Sequence, residues 1–158
     1  MKKFSYFLTY VFIASVLMAC GIFGQTDKLI KPGDKIGEMI VEQGSTPSAS
    51  ENFWFFCKYI PYEQEPLSIT NECDVPQHIS NLHIGFGWMA TEEKISSNWD
   101  TMTWELYIDG YQIDLKAFEW IEETDRANNK FREWIIVLKK LTPGKHTLRL
   151  SWKSQIAI

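Results

Sequence analysis

The chain has 158 residues, which is enough for one domain with a sizeable apolar core. It carries 16 basic and 20 acidic residues, a net charge of −4, and no run of lysine or arginine offsets this balance. Such a surface does not favour nucleic acid or anionic lipid headgroups as partners. Three histidines are too few and too scattered to suggest a metal cluster, and no motif indicates a cofactor.

The N-terminal segment has the layout of an export signal. Lys2 and Lys3 form a positive start, and the residues that follow, 4–18, carry no charge and are mostly Phe, Leu, Val, Ile and Ala. This run is shorter than the roughly 20 residues that a bilayer-spanning helix needs. Its length and flanks are typical of a secretory signal peptide.

A four-residue motif, Leu17-Met18-Ala19-Cys20, directly follows this run. It resembles the lipobox of a bacterial lipoprotein precursor. The resemblance implies a signal peptide over residues 1–19, cleavage between Ala19 and Cys20, and a thioether from the Cys20 thiol to diacylglycerol. Two or more acyl chains hold a protein firmly at a membrane, since each buried methylene adds about 0.8 kcal/mol. Two other interpretations stay open: an ordinary secretory peptide in which Cys20 is incidental, and a retained membrane anchor.

The residue after the cysteine bears on location. It is Gly21, whereas Asp at this position is the common inner-membrane retention signal in lipoproteins of double-membrane bacteria. The resemblance therefore implies an extracytoplasmic protein of the bacterial cell envelope, in the outer membrane if the organism has one. The expected partners are the membrane, through the lipid on Cys20, and an envelope protein or a glycan.

Residues 20–51 are poor in large apolar groups and end in a stretch rich in Gly, Ser and Pro. This composition predicts a flexible tether with a root-mean-square span of roughly 30 Å, which would hold a domain clear of the headgroups. A short strand or turn near residues 38–42 is compatible with the pattern.

Two cysteines, Cys57 and Cys73, remain once Cys20 is lipidated. Export places the chain in a compartment where disulfides form, so we expect the two to be paired. The alternative is two free thiols in a reducing environment. A redox-active pair is not indicated, because the C-x-x-C spacing is absent.

From residue 52 onwards, short β-prone segments alternate with turn signals. Apolar side chains recur at every second position in residues 79–89 and 101–109, which is the mark of half-buried strands. Asp109-Gly110 predicts a tight hairpin turn, and residues 131–139, apolar on both faces from 134 to 138, predict a central strand. Helical turns are predicted only near residues 92–97 and 119–130. The second of these is acidic, and we interpret it as a solvated loop, with calcium binding as the alternative.

The C-terminal half resembles bacterial Ig-like or fibronectin-III-like domains. The residues that carry this are 104–110, 132–134 and above all the Leu-x-Pro-Gly-x-His-x-Leu segment that begins at Leu141. The spacing of the short strands and turns predicts an all-β fold, an antiparallel β-sandwich of about seven strands over residues 52–158. The resemblance covers roughly residues 101–154 and implies that this sandwich is Ig-like. In such domains a closing strand normally follows this segment, but the chain stops at Ile158. Either an earlier strand takes that edge or the chain is truncated.

No motif for a catalytic nucleophile is present, and neither Cys57 nor Cys73 has a histidine in a catalytic context. We therefore expect a non-enzymatic binding or envelope-organising module. Trp99 and Trp120 lie in polar segments and are the candidates for exposed platforms on which a sugar ring or a peptide could stack. A carbohydrate-binding lipoprotein is the second hypothesis, and an envelope hydrolase is a remote third. The alternative for both tryptophans is that they cover the ends of the sandwich.

Overall fold

The computed structural model describes residues 28–45, 52–63 and 67–154. Over these residues the chain forms an antiparallel β-sandwich with one α-helix, which confirms the predicted all-β class. The described part contains ten strands, whereas about seven were expected. The elements are β1 (Lys35–Ile36), β2 (Met39–Gln43), β3 (Cys57–Glu63), β4 (Leu67–Val75), β5 (Asn81–Thr91), α1 (Glu92–Thr101), β6 (Met102–Ile108), β7 (Tyr111–Gln112), β8 (Trp120–Thr124), β9 (Asn129–Lys139) and β10 (Gly144–Ser154).

The first sheet is built around β9, as its doubly apolar sequence predicts. β5 pairs with β9 along its whole length, from Asn81 opposite Lys139 to Thr91 opposite Asn129. The other edge of β9 is shared, because β2 pairs with its C-terminal half and β8 with its N-terminal half. Gln43 joins the two short strands: its Nε2 donates to the Glu119 carbonyl at 3.1 Å, and its Oε1 accepts from the Glu119 N–H at 2.8 Å.

The second sheet has the strand order β3-β4-β10-β6-β7. β10, the last strand described, pairs with β4 on one side and β6 on the other, so it lies inside the sheet and leaves no open edge there. Asp109 and Gly110 link β6 to β7 with positive φ angles of 51° and 82°. This is the backbone that the Asp-Gly pair predicts for a tight hairpin turn.

The core lies between the two sheets and is filled by the faces that the alternation predicts. Leu82, Ile84 and Phe86 of β5 are 1, 0 and 7% exposed, and they meet Leu106 and Ile108 of β6, both fully buried. Burying a side chain of this kind contributes about 1.5–3 kcal/mol. These side chains belong to one apolar core, which also includes buried residues of β2, β9 and β10.

Two glycines of β5 allow the close approach of β9. A Cβ on Gly87 would overlap the carbonyl oxygen of Arg132, and a Cβ on Gly85 would lie 2.6 Å from the Glu133 carboxylate. Glu133 is 7% exposed, and this burial, with Glu123 nearby, raises the pKa of its carboxyl group. The two glycines are thus explained by the close packing of β5 against β9.

The helix α1 connects the two sheets and is longer than the single turn predicted for residues 92–97. Glu92 and Glu93 lie in its first turn, where negative charge complements the helix dipole. Ile95 and Trp99, four residues apart on one face, are its buried residues. No helix in residues 28–45, 52–63 or 67–154 is long and apolar enough to cross a membrane.

Residues 28–45 differ from the predicted tether, because they are part of the folded domain. β1 and β2 lie here, β2 pairs with β9, and Val41 is fully buried. Ile30 is 3% exposed and forms a bridge with Ile113. The apolar residues of this segment are few and separated by polar ones, so composition alone favoured a linker. The short strand predicted near residues 38–42 is confirmed as β2.

The predicted helical turn at residues 119–130 is also wrong. Its first half is β8, in which Trp120 lies opposite Trp134 of β9. Its second half is a tight turn held by Asp125, whose Oδ1 accepts from the N–H groups of Ala127 and Asn129, both at 2.8 Å. These bonds and the Asn129 side chain lower the pKa of Asp125, with the Asn129 side chain having the largest effect. Of the carboxylates that suggested calcium, Asp125 is engaged within the turn and Glu122 pairs with Arg132.

Candidate functional site

The three cysteines have different positions relative to the described structure. Cys57 of β3 and Cys73 of β4 are direct cross-strand neighbours and form a disulfide with an S–S distance of 2.03 Å, which confirms the predicted pairing. Cys20 lies outside the described residues, so its lipidation stays a prediction.

Trp99 is at the centre of an aromatic cluster and is not an exposed platform. Its ring centre lies 4.5 Å from that of Trp134, 5.1 Å from Trp104 and 5.9 Å from Trp120. Only 9% of Trp99 is exposed. The polar residues before it led to the opposite expectation, but they occupy the solvent face of α1 while Trp99 points to the sheet. Trp99 therefore belongs to the core, as the alternative interpretation held.

Trp120 is the member of this cluster that reaches solvent, with 44% of its surface exposed. The Arg132 guanidinium lies 4.6 Å from its ring centre, within the range of a cation–π contact. The same guanidinium donates to Glu122 at 2.7 Å and to Ser96 of α1 at 2.9 Å. The hydrogen bond from Arg132 lowers the pKa of the Glu122 carboxyl. Trp120 thus offers an aromatic surface fixed by a charged network.

A second surface feature, which we call the Arg149 groove, lies on the outer face of the second sheet. Its volume is about 460 Å³, and its lining residues are Thr70, Tyr107, Gly110, Thr147 and Arg149. In the strand register Arg149 of β10 lies between Thr70 of β4 and Tyr107 of β6. The Arg149 guanidinium stacks 4.0 Å above the Tyr107 ring. It forms no ion pair with any residue of the described ranges.

A buried histidine supports the hairpin turn beside this groove. His146 is 7% exposed, its Nδ1 lies 2.8 Å from Asp109 Oδ2, and its Nε2 lies 2.7 Å from the Thr142 carbonyl. Both partners are acceptors, so the ring donates from both nitrogens when it is protonated, and this arrangement favours the imidazolium form. The hydrogen bond that His146 donates to Asp109 is the largest cause of the raised pKa of His146. Asp109 also accepts from the Thr147 N–H at 2.8 Å, which fixes the turn to β10.

This pair predicts a pH dependence of stability. The folded-state pKa of His146 is raised above its ordinary value of 6.5, so its contribution is complete below about pH 6.5 and is lost as the pH rises through the folded-state value. We expect the melting temperature to fall as the pH rises above about 6.5 and through the raised pKa of His146. Asp109→Asn should flatten this fall, as measured by thermal denaturation of both proteins across that range. An unchanged slope in Asp109→Asn would contradict the charged pair.

The sequence did not reveal the Arg149 groove, although one part of its signal was present. Residues 147 and 149 alternate with buried Leu148 and Leu150, which places Thr147 and Arg149 on the outer face of β10. The positions of Thr70 and Tyr107 beside them depend on the pairing of three strands that are distant in sequence. No local pattern specifies that register.

Comparison with known proteins adds no assignment. The sequence matches no protein-family model, and neither a curated protein nor a solved structure is significantly similar to it. Function must therefore be argued from the residues themselves.

Proposed function

We propose that this chain is a non-enzymatic, lipid-anchored binding module of the bacterial cell envelope. The Cys57–Cys73 disulfide is the observation that carries the proposal. Disulfides persist in exported proteins, which fits the signal-like N-terminus. With Cys57 and Cys73 paired to each other, Cys20 at the lipobox is the one cysteine left for lipidation. Under this proposal the protein is extracytoplasmic, and it is in the outer membrane if the organism has one.

The engagement of the reactive side chains supports a binding role. The Cys57 and Cys73 thiols are consumed in the disulfide, and both ring nitrogens of His146 are used within the fold. Neither arrangement offers an activated nucleophile or a free base. The proposal further places the module close to the membrane. The fold includes residues from Ile30 onwards, so fewer than ten residues separate it from the lipid anchor on Cys20.

Substitution of Cys20 tests the lipid anchor. In the native bacterium, Cys20→Ser should move the protein from the membrane fraction to the soluble extracytoplasmic fraction, because the acyl chains that hold it are lost. Fractionation followed by immunoblotting measures this. The double variant Cys57→Ala/Cys73→Ala is the matched control and should stay with the membrane. A Cys20→Ser protein that still sediments with membranes would contradict lipid anchoring.

A carbohydrate-binding role is the second candidate, and the exposure of Trp120 is the observation that favours it. An aromatic face beside a charged network is a surface on which a sugar ring can stack. If the role is correct, Trp120→Ala should abolish a signal seen for the parent protein on a glycan array. Phe55→Ala removes another exposed aromatic side chain, 70% exposed, and should have no effect. A glycan signal that survives Trp120→Ala, or no signal for the parent, would contradict this role.

A further inference from the structure

The Arg149 groove contains an exposed cation without a counter-charge, on a protein with more acidic than basic residues. No carboxylate of the described residues forms an ion pair with the Arg149 guanidinium. Asp109 accepts from Thr147 and pairs with His146, and Glu105 accepts from Ser151 at 2.9 Å. Glu72, the cross-strand neighbour of Thr147, lies opposite Lys58 on its other side in the strand register, and it forms no ion pair with Arg149. Arg149 therefore keeps its hydrogen-bond donors available to a ligand.

Tyr107 fixes the orientation of this cation. The guanidinium carbon lies 4.0 Å from the centre of the Tyr107 ring, so a cation–π contact holds the cation over the face of the ring. A planar guanidinium held in this way matches the two oxygens of a carboxylate, which it can bind with two parallel hydrogen bonds. Because Tyr107 restricts the side chain before binding, less rotamer freedom is lost when a ligand arrives.

The rest of the groove supplies hydroxyl groups and space. Thr70 lies opposite Arg149 on β4, and Thr147 lies two residues before it on the same face of β10. Each hydroxyl can both donate and accept a hydrogen bond. The volume of about 460 Å³ falls in the range of small-molecule sites and suits a ligand the size of one sugar ring.

We propose that the Arg149 groove binds a small organic carboxylate of about monosaccharide size. Arg149 holds the carboxylate with two hydrogen bonds, and the hydroxyl groups of Thr70 and Thr147 bind polar groups of the ligand body. A carboxylate fits better than a phosphate, since Arg149 is the one cation among the lining residues and balances a single negative charge. The site is distinct from Trp120 and does not depend on the lipid anchor.

The test is calorimetric titration of the full chain, purified in detergent, with glucuronate as the probe. We expect weak binding, of the order of a millimolar dissociation constant, that weakens further as salt is added. Glucose, which has the same ring and no charge, should not bind measurably. Glucose 6-phosphate should bind more weakly than glucuronate. Arg149→Gln should weaken glucuronate binding at least about tenfold, and Arg149→Lys should weaken it less, because it keeps the charge and loses the planar fork.

Arg126→Gln is the matched control, because it removes one exposed arginine from the turn between β8 and β9, away from the groove lining. It should leave glucuronate binding unchanged. Equal losses in Arg126→Gln and Arg149→Gln would show a general charge effect and overturn the proposal. So would the absence of glucuronate binding, binding that is unchanged in Arg149→Gln, or tighter binding of glucose 6-phosphate. Thermal denaturation of each variant verifies that it is folded, which is expected since both arginines are exposed.

Discussion

Trp99→Ala should lower the free energy of unfolding by about 3–5 kcal/mol, the usual cost of removing a large buried aromatic side chain. Trp99 is 9% exposed and contacts three other tryptophans, so the cavity would open in the middle of the cluster that joins α1 to both sheets. Since small domains are stable by only about 5–15 kcal/mol, this loss is a large fraction of the total. Chemical denaturation followed by circular dichroism measures it.

Trp120→Ala is the control for this substitution, because it removes the same side chain from the exposed edge of the same cluster. We expect its effect to be smaller, about 1 kcal/mol, since 44% of Trp120 already faces water. If Trp99→Ala does not fold, Trp99→Phe retains most of the ring contacts and should give a measurable intermediate loss. Equal effects of Trp99→Ala and Trp120→Ala would contradict the different roles assigned to the two residues.

Loss of the disulfide has the second large expected effect. The bond closes a loop between residues 16 positions apart, for which chain entropy predicts about 3 kcal/mol. Cys57→Ala/Cys73→Ala should therefore lower the free energy of unfolding by about that amount. Alanine is the suitable replacement because Cys73 is 1% exposed and a serine hydroxyl would be buried there.

Two comparisons make this prediction specific. Reductant should destabilise the parent protein and have no effect on the double variant, which has no disulfide to lose. Cys20→Ser should leave the free energy of unfolding unchanged, because Cys20 is not part of the bond. A double variant as stable as the parent would mean that the disulfide does not restrain the unfolded chain.

The fold was predictable wherever a local pattern specified it. The period-two alternation of residues 79–89 predicted the buried face of β5. Asp109-Gly110 predicted the turn between β6 and β7 directly, because few residue pairs adopt two positive φ angles. Apart from the short strand near residues 38–42, the inclusion of residues 28–45 in the domain was not predicted, and neither was β8. The strands β2 and β8 are short and are stabilised by pairing with β9 rather than by their own periodicity. Tertiary pairing decided these segments, and a single sequence does not display it.

The candidate sites also differ in whether a local sequence pattern or the tertiary structure specifies them. Pairing of Cys57 with Cys73 followed from counting cysteines, and the structure confirms it. Trp99 was assigned to a polar connection because its neighbours are polar, whereas the helix turns it inward with Ile95. The Arg149 groove needs residues from β4, β6 and β10 in one row, which only the strand register provides.

The most direct test of the account is the mass of the N-terminal peptide of the protein extracted from bacterial membranes. We predict a chain that begins at Cys20 and carries diacylglycerol on the cysteine sulfur, as the motif at residues 17–20 implies. A chain that retains Met1, or one that is cut elsewhere and leaves Cys20 unmodified, would contradict lipid anchoring.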